Sequence, residues 1–292
     1  MIGRLVSRLI GAQAVWARPL GDINHRLLTA LFRPMTRVKG FLNGKWLGHS
    51  LHAVLTDVPV GVFTLAIILD LLDQRAAADI AIAFGLLAMI GAAVAGLADY
   101  TDTDGHPRMV ATVHATLISL ALFVYAVSFA LRLDAPAGDR TWAIATSFVG
   151  YALLAGGAWI GGEVVYALGN MVNRHASRFS GTPNWIKLDV ADIPEGQPTK
   201  AKAGAQALVL VRDGSTIYAL HDLCAHAGGP LSSGRIVDGC IECPWHSSRF
   251  ELTTGRRRQG PTTFDQPRYE VREADGGGYE ALRVGGTTGQ NV

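Results

Sequence analysis

The chain has 292 residues, of which 49% are hydrophobic and 17% are charged. Its 26 Lys and Arg residues nearly balance its 24 Asp and Glu residues. This composition excludes an intrinsically disordered chain and an acidic or basic polyelectrolyte. The charged fraction lies below the roughly 25% of an average soluble protein, so water-facing side chains are scarce, and the length suggests about two domains.

Residues 1–44 are predicted to form a basic, amphipathic segment on the inner surface of a membrane. Four apolar residues recur at helical spacing around arginines: Leu5, Val6, Leu9 and Ile10. Arg8 interrupts the apolar run that a cleaved signal peptide would need, whereas an interfacial helix tolerates it. Lys and Arg residues dominate this region, so the positive-inside rule predicts a cytoplasmic N-terminus. Because topology explains this basic excess, we expect no nucleic-acid partner.

Residues 45–172 predict a four-helix transmembrane domain in contact with the lipid bilayer. About 20 apolar residues span a bilayer core as a helix, and four stretches qualify: 55–72, 80–98, 109–131 and 142–162. Their short connections predict antiparallel neighbours in a bundle. An even number of spans returns the chain to its starting side, so we expect a multi-pass protein of a bacterial-type inner membrane with both termini cytoplasmic. The Gly157-x-x-x-Gly161 spacing permits homo-oligomers through close helix approach.

His52 and His114 are candidate ligands of a second redox centre within the bundle. The predicted topology places them at the cytoplasmic end, with Asp57 and Glu163 as supporting polar residues. Ionisable groups inside a membrane are costly and mark candidate functional sites. One interpretation is haem b or another metal held by the two imidazoles; the other, which the sequence favours, is capping of helix ends. The same topology places three further histidines at this end: His49, His106 and His175.

After residue 172 the pattern changes to short strands separated by Gly and Pro. We predict a linker over 173–183, an antiparallel β domain over 184–285 and a loose tail over 286–292. The Asp213-Gly214 pair between two apolar runs is typical of a hairpin turn.

Two short blocks in the β domain carry metal-binding residue types. They are Cys224-Ala225-His226 and Cys243-Pro244-Trp245-His246, and each offers one thiolate and one imidazole. Zinc sites usually take two Cys from one element and two His from another. One of each per block instead suits two irons with unlike ligands, as in a Rieske [2Fe–2S] centre, and zinc remains the alternative. The third thiol, Cys240, is expected to be a small buried side chain.

The segments CAHAGGPL and CPWHSSRF, followed by Gly260-Pro261, resemble the Rieske ferredoxin-type domain over about residues 184–284. The resemblance implies a [2Fe–2S] cluster whose inner iron is ligated by Cys224 and Cys243. It implies that His226 and His246 ligate the outer iron. It also implies that the loop containing Pro261 covers the cluster.

This sequence departs from the family pattern in two respects. Ser247 stands where Gly is common, and it is either a hydrogen-bond donor near the cluster or, as we favour, a turn residue. Gly228 and Trp245 stand about where respiratory-chain members have the cysteines of a disulfide. The lack of that bridge predicts a potential in the lower part of the Rieske range.

The segment GHSLHAVLTDVPVG at 48–61, followed by three further spans, resembles a bacterial membrane family called domain of unknown function 2231. The resemblance covers about residues 45–172. It implies the four-helix architecture and assigns no reaction.

Together these features predict a membrane-anchored Rieske protein, an oxidoreductase or electron-transfer component. It would carry single electrons between a redox partner and a quinone or haem site in or near the bundle, with the identity of donor and acceptor left open. One alternative is a redox-sensing or anchoring membrane protein. Another is a Rieske-dependent oxygenase component, which would need a mononuclear iron held by two His and one carboxylate. No histidine follows His246 to supply it.

Overall fold

The computed structural model describes residues 2–134, 138–176 and 183–285, and it forms two compact units. The first comprises the described residues of Met1–Gly44 and Ser50–Asn170, and the second those of Lys45–His49 and Met171–Val292. Four long apolar helices in the first unit and antiparallel sheets in the second confirm the predicted fold class. Residues 177–182 of the predicted linker and the predicted tail lie outside the described residues. The side chains of Leu5 and Val6 also lie outside the described part.

The N-terminal region of the first unit consists of three helices: α1 (Ile2–Ala12), α2 (Ala14–Phe32) and α3 (Thr36–Leu42). Helix α2 approaches the long helices closely at Gly21. A Cβ atom there would lie 2.7 Å from Oγ1 of Thr112, and the Tyr100 hydroxyl donates a hydrogen bond to the Gly21 carbonyl at 3.2 Å. The small residue therefore fixes where α2 packs.

Four helices of the first unit are long and apolar enough to cross a membrane. They are α4 (Leu51–Leu71), α5 (Arg75–Tyr100), α6 (Gly105–Asp134) and α7 (Thr141–Gly162), with a π-helical turn over Glu163–Ala167 after the last. Each extends beyond the apolar run that predicts it. Helix α4 begins early because the Ser50 side chain accepts a hydrogen bond from the Ala53 backbone N–H and caps the helix.

The long helices pack as two hairpins, α4 with α5 and α6 with α7. Small residues allow close approach: Cβ atoms at Gly85 and Gly150 would lie 2.7 Å and 3.0 Å from the rings of Phe63 and Tyr125. Those two rings stack with centroids 3.7 Å apart. Large apolar side chains such as Phe123 remain exposed on the outside of the unit, as expected of helices that contact lipid.

A network of ion pairs joins one end of all four long helices. The Arg132 guanidinium is fully buried and donates to both carboxylate oxygens of Asp70, at 2.8 Å and 2.6 Å. Arg140 forms the same two-pronged contact with Asp79, both at 2.8 Å. Arg132 also reaches Asp79 at 3.3 Å, so two positive and two negative charges neutralise each other.

We expect Asp70→Asn to destabilise the first unit by about 3–5 kcal/mol, because it leaves the buried Arg132 charge without its main counterion. The matched control is Asp73→Asn in the exposed Asp73–Arg75 pair, which should change stability far less because solvent screens that pair. Unfolding of the full chain in detergent micelles measures both. Equal effects of the two substitutions would contradict the assignment.

The second unit contains two antiparallel sheets. The six-stranded sheet contains, in pairing order, β1 (Ile186–Lys187), β10 (Tyr279–Gly285), β9 (Arg268–Glu273), β4 (Thr216–His221), β3 (Gln206–Asp213) and β2 (Thr199–Ala203). The four-stranded sheet contains β5 (Arg235–Val237), β6 (Cys240–Glu242), β7 (Arg249–Glu251) and β8 (Arg257–Gln259). It is inserted in the chain between β4 and β9.

Strand β3 is covered on both faces. Leu208 and Leu210 face one apolar cluster of the unit, and Val209 and Val211 face the other. The second cluster also contains Cys224, Cys243 and residues of the four-stranded sheet, among them Ile241 and Phe250. The two predicted metal-binding blocks therefore begin within a packed apolar core, which fixes their positions.

Candidate metal centre

The two blocks form two turns with the same backbone hydrogen bonds. The first turn, Cys224–Gly229, lies between β4 and β5, and the second, Cys243–Ser248, joins β6 to β7. In each turn the cysteine N–H donates to the carbonyl five residues later, at 2.9 Å and 2.8 Å. In each, the cysteine carbonyl accepts from the N–H four residues later, at 2.9 Å and 3.1 Å. The two cysteines therefore take equivalent places in the two turns. The histidine follows the cysteine by two residues in the first turn and by three in the second.

Both turns place their fifth residue in the left-handed region. Gly228 has a φ of +85° and Ser247 has a φ of +55°. Glycine adopts such angles without steric cost, which explains physically why Gly is common at the second position. Ser247 is exposed and its N–H forms the turn bond to Cys243, an arrangement that favours the turn interpretation predicted for it.

The four predicted ligands converge as a pair of thiols and a pair of imidazoles. The Cys224 and Cys243 side chains are buried and hydrogen-bonded to each other. The rings of His226 and His246 lie with centroids 4.9 Å apart and planes at 86°. His226 is buried and His246 is half-buried, so the thiol pair and one imidazole lie inside while the other imidazole reaches the surface.

Backbone N–H groups favour negative charge on both sulfurs. Cys224 accepts hydrogen bonds from the N–H groups of His226 and Ala227, and Cys243 from those of Trp245 and His246. The hydrogen bond from Cys224 lowers the pKa of the Cys243 thiol to about 7, and the same bond together with burial raises that of Cys224. Thiolates are the metal-binding form of cysteine. The N–H groups of the two turns therefore stabilise the charge state in which the sulfurs bind a metal cation.

Two glycines let other segments pack tightly against the second turn. A Cβ atom at Gly229 would lie 2.9 Å from both the Cys243 sulfur and the Trp245 ring. A Cβ atom at Gly260, whose φ is +96°, would overlap Ser248 Cα and lie 2.7 Å from its nitrogen. The following residue, Pro261, is buried. The Gly260-Pro261 loop therefore lies directly against the turn that carries the second pair of predicted ligands.

These residues fit a two-iron cluster better than a single zinc ion. Among the described residues, no group of three or more His, Cys, Asp or Glu side chains could hold one metal ion, whereas the sulfurs and imidazoles form two pairs. The hydroxyl of Ser248 is fully buried and has no hydrogen-bond partner within the described residues. A buried donor requires an acceptor, and a cluster sulfide beside the turn would supply one.

Two residues that support the first turn belong to no recognisable sequence motif. The buried Gln266 side chain donates to the Leu223 carbonyl at 2.7 Å and accepts from the Ala225 N–H at 3.1 Å. Asp222 accepts from the Ser232 N–H at 2.6 Å. Only a longer loop brings Gln266 back to this turn, so no local pattern could have identified it.

The candidate residues of the first unit separate into two groups. The structure brings His52 and His114 together, with ring centroids 6.1 Å apart. Asp57 is exposed on α4, and its supporting role stays a prediction. Glu163 is half-buried at the start of the π-helical turn.

The structure places His175 in the second unit. There it is buried, with its ring centroid 4.7 Å from that of His221. Its position at the cytoplasmic end of the bundle stays a prediction, because this aromatic contact lies within the β unit.

Comparison with known proteins assigns a family to each part of the chain. Residues 184–270 match the family described as Rieske [2Fe-2S] domain, and residues 48–174 match the family described as predicted membrane protein (DUF2231). The sequence resemblances to both families are confirmed.

Similar proteins match the C-terminal part of the chain. The anthranilate 1,2-dioxygenase ferredoxin subunit of Burkholderia cepacia is 36% identical over 93 residues, 32% of this chain and 86% of that protein. The ferredoxin component of the naphthalene 1,2-dioxygenase/salicylate 5-hydroxylase systems of Ralstonia sp is 37% identical over 92 residues, 31% and 88% of the two chains. The ferredoxin of carbazole 1,9a-dioxygenase from Nocardioides aromaticivorans IC177 is 29% identical, with a TM-score of 0.30 over 36% of this chain and 98% of that chain.

Proposed function

This chain belongs to the Rieske [2Fe–2S] family, and on that premise we propose that it is a membrane-anchored carrier of single electrons. The observation that supports this proposal is the pair of similar turns, each of which presents one thiol and one imidazole from a packed core. Ferredoxin relatives that match this unit over 86% and 88% of their own length belong to dioxygenase systems, which supports electron transfer rather than catalysis by the unit alone.

Four side chains hold the cluster in this proposal. Cys224 and Cys243 ligate one iron, and His226 and His246 ligate the other. A bound [2Fe–2S] cluster supplies a one-electron couple, whose potential in Rieske centres lies between about −150 and +300 mV. The backbone N–H groups that already face the two sulfurs stabilise the negative charge of the reduced form.

The exposed part of the second turn is the place where electrons enter and leave. His246 is half-buried and the neighbouring Trp245 is 53% exposed, so a partner can approach the imidazole side directly. On the other side, the buried Pro261 and the tight contact of Gly260 exclude water. Donor and acceptor are one-electron proteins or cofactors, as for ferredoxins in general, and we assign no substrate to this unit.

The first unit anchors the carrier in the bilayer. Its four apolar helices span the membrane, and the basic N-terminal region places both termini in the cytoplasm. The electron then passes to or from a second centre, haem or quinone, in or near the helical bundle. The glycines of α7 also permit association of two copies within the membrane. An anchoring or redox-sensing role is the alternative, which the same helices would serve without a second centre.

Vesicles that contain the full chain test this proposal. The cluster signal should remain with the membranes after an alkaline wash. The cluster should accept one electron per chain from a chemical reductant, and a quinone analogue should reoxidise it. Protease should remove the β unit in inverted vesicles only. A cluster that washes off the membrane, or one that never exchanges electrons with the analogue, would contradict the anchored-carrier function.

We expect Ser248→Ala to lower the reduction potential of the cluster by about 60 mV. A hydrogen bond that is about 1.4 kcal/mol stronger to the reduced cluster than to the oxidised one, a difference within the net range of single hydrogen bonds, corresponds to about 59 mV for one electron. The hydroxyl stabilises the more negative reduced form, so its removal disfavours reduction. Redox titration followed by visible absorption measures the shift, and Ser247→Ala, at the exposed neighbour, is the control that should leave the potential unchanged.

A further inference from the structure

The two helical hairpins of the first unit repeat one pattern of residues. Three pairs in α4 and α6 are separated by the same 62 positions: His52 and His114, Phe63 and Tyr125, and Asp70 and Arg132. Three pairs of glycines in α5 and α7 are separated by the same 65 positions: Gly85 and Gly150, Gly91 and Gly156, and Gly96 and Gly161. The hairpins are therefore equivalent, residue for residue, at these six places.

Each residue of the first three pairs meets its own counterpart in space. The histidine rings lie 6.1 Å apart, the aromatic rings stack at 3.7 Å, and the ion pair closes at 2.6 Å. Equivalent residues that face one another define a pseudo-twofold axis between the hairpins. The His52–His114 pair lies at this axis, where one bound group can be held equally from both sides.

Helix α5 provides a specific support for His52. The imidazole Nδ1 lies 2.8 Å from the Ala92 carbonyl oxygen. In an α-helix this carbonyl faces the residue four positions later, and that residue is Gly96. A Cβ atom at Gly96 would lie 2.9 Å from both Cε1 and Nδ1 of the ring. The glycine is therefore what allows the ring to reach the carbonyl.

Helix α7 repeats this support for His114. Its Nδ1 lies 2.7 Å from the Gly157 carbonyl oxygen, and the residue four positions later is Gly161. A Cβ atom there would lie 3.1 Å and 3.2 Å from Cε1 and Nδ1. Both imidazoles thus bond to carbonyls within neighbouring helices, which differs from the helix-end capping that the sequence favours for them.

The two hydrogen bonds determine which ring nitrogen can bind a metal. A carbonyl only accepts, so Nδ1 of each ring carries the proton and donates. The neutral ring then has a lone pair on Nε2, and a backbone carbonyl on the other nitrogen is the usual support of a metal-binding histidine. Both side chains are therefore set in the tautomer that ligates through Nε2.

We propose that His52 and His114 are the two axial ligands of a haem iron on this axis. Among the described residues, no third His, Cys, Asp or Glu side chain joins the pair in a metal-binding group. Haem would need only two nitrogens from the protein, because its porphyrin supplies the other four. A metal ion bound by both imidazoles at the roughly 2.0–2.1 Å of zinc–histidine bonds would hold the ring centroids about 6 Å apart, and the two centroids lie 6.1 Å apart here.

This inference deepens the proposed function, because it names the second centre, but its test does not depend on the cluster. The purified full chain is incubated with iron protoporphyrin IX in detergent. We expect one haem per chain with the absorption bands of six-coordinate, low-spin iron. Cys243→Ser, which removes a cluster ligand, should leave these bands unchanged.

Glycine variants provide the matched comparison. Gly96→Ala and Gly161→Ala push a methyl group against a ligand ring and should reduce haem affinity at least tenfold or convert the iron to a five-coordinate form. Gly91→Ala and Gly156→Ala lie at equivalent positions where a Cβ atom meets nothing within 4 Å, and they should bind haem as the natural chain does. His52→Gly should lose the low-spin bands and regain them on addition of imidazole.

Three results would overturn the proposal: no haem bound by a folded full chain, equal binding by both pairs of glycine variants, or low-spin bands that persist in His52→Gly without imidazole. In each case the cluster and its electron transfer can be measured separately. A chain that binds haem but lacks a cluster would instead support this inference and contradict the proposed function.

Discussion

Replacing Cys243 by serine should reduce bound non-haem iron at least tenfold and abolish the cluster absorption. A serine hydroxyl is a harder and far less acidic ligand than a thiol, and iron–sulfur clusters select thiolates. Because metal binding is coupled to folding, the β unit should also unfold at a lower temperature. Iron analysis, visible absorption and thermal unfolding of the purified chain measure the three effects.

Cys240→Ser is the matched control for this substitution. Cys240 is also buried and lies three residues earlier, in β6, but the proposal gives it no role in ligation. The control should retain full iron content, although burial of the hydroxyl will cost some stability. Loss of iron in both variants, or in Cys240→Ser alone, would contradict the assigned ligand set.

Gly260→Ala should greatly shorten the lifetime of the cluster in air. The new Cβ atom would overlap the Ser248 backbone, so the Gly260-Pro261 loop must move away from the turn that carries Cys243 and His246. The left-handed φ of +96° adds strain, and the two effects together should cost about 1–3 kcal/mol. The rate at which the cluster absorption bleaches under oxygen measures the loss of cover.

Gly239→Ala separates the contact from the backbone strain. Gly239 has a φ of +72°, but a Cβ atom there meets nothing within 4 Å. It should therefore lose some stability without faster bleaching. Equal bleaching rates in the two variants would mean that strain, and not displacement of the loop, exposes the cluster.

The sequence predicts features whose cause is local. The four long apolar helices follow from runs of apolar residues, because length and hydropathy alone decide whether a helix can cross a bilayer. The two turns follow from Cys and His at fixed spacing within a few residues of each other. Even the unusual Ser247 is explained by a single backbone angle, which the neighbouring bonds of the turn impose.

Features that depend on contacts between residues far apart in the chain could not be predicted from the sequence. Gln266 supports the first turn from about 40 positions away, and nothing in its neighbours marks it. His175 follows a long apolar helix but packs in the β unit. The Gly96 and Gly161 supports become recognisable only from the contact of each glycine with a histidine ring, because the identities between the two repeats are few and widely spaced.

The most direct measurement of the central claim is iron and acid-labile sulfide content, combined with electron paramagnetic resonance, on anaerobically purified full chain. Two non-haem irons and two sulfides per chain are expected from the family's cluster. The reduced protein should give a signal with hyperfine coupling to two imidazole nitrogens, and His226→Ala should remove one of the two couplings or the cluster itself. Bound zinc without sulfide, or a reduced cluster with no coupling to nitrogen, would contradict the account.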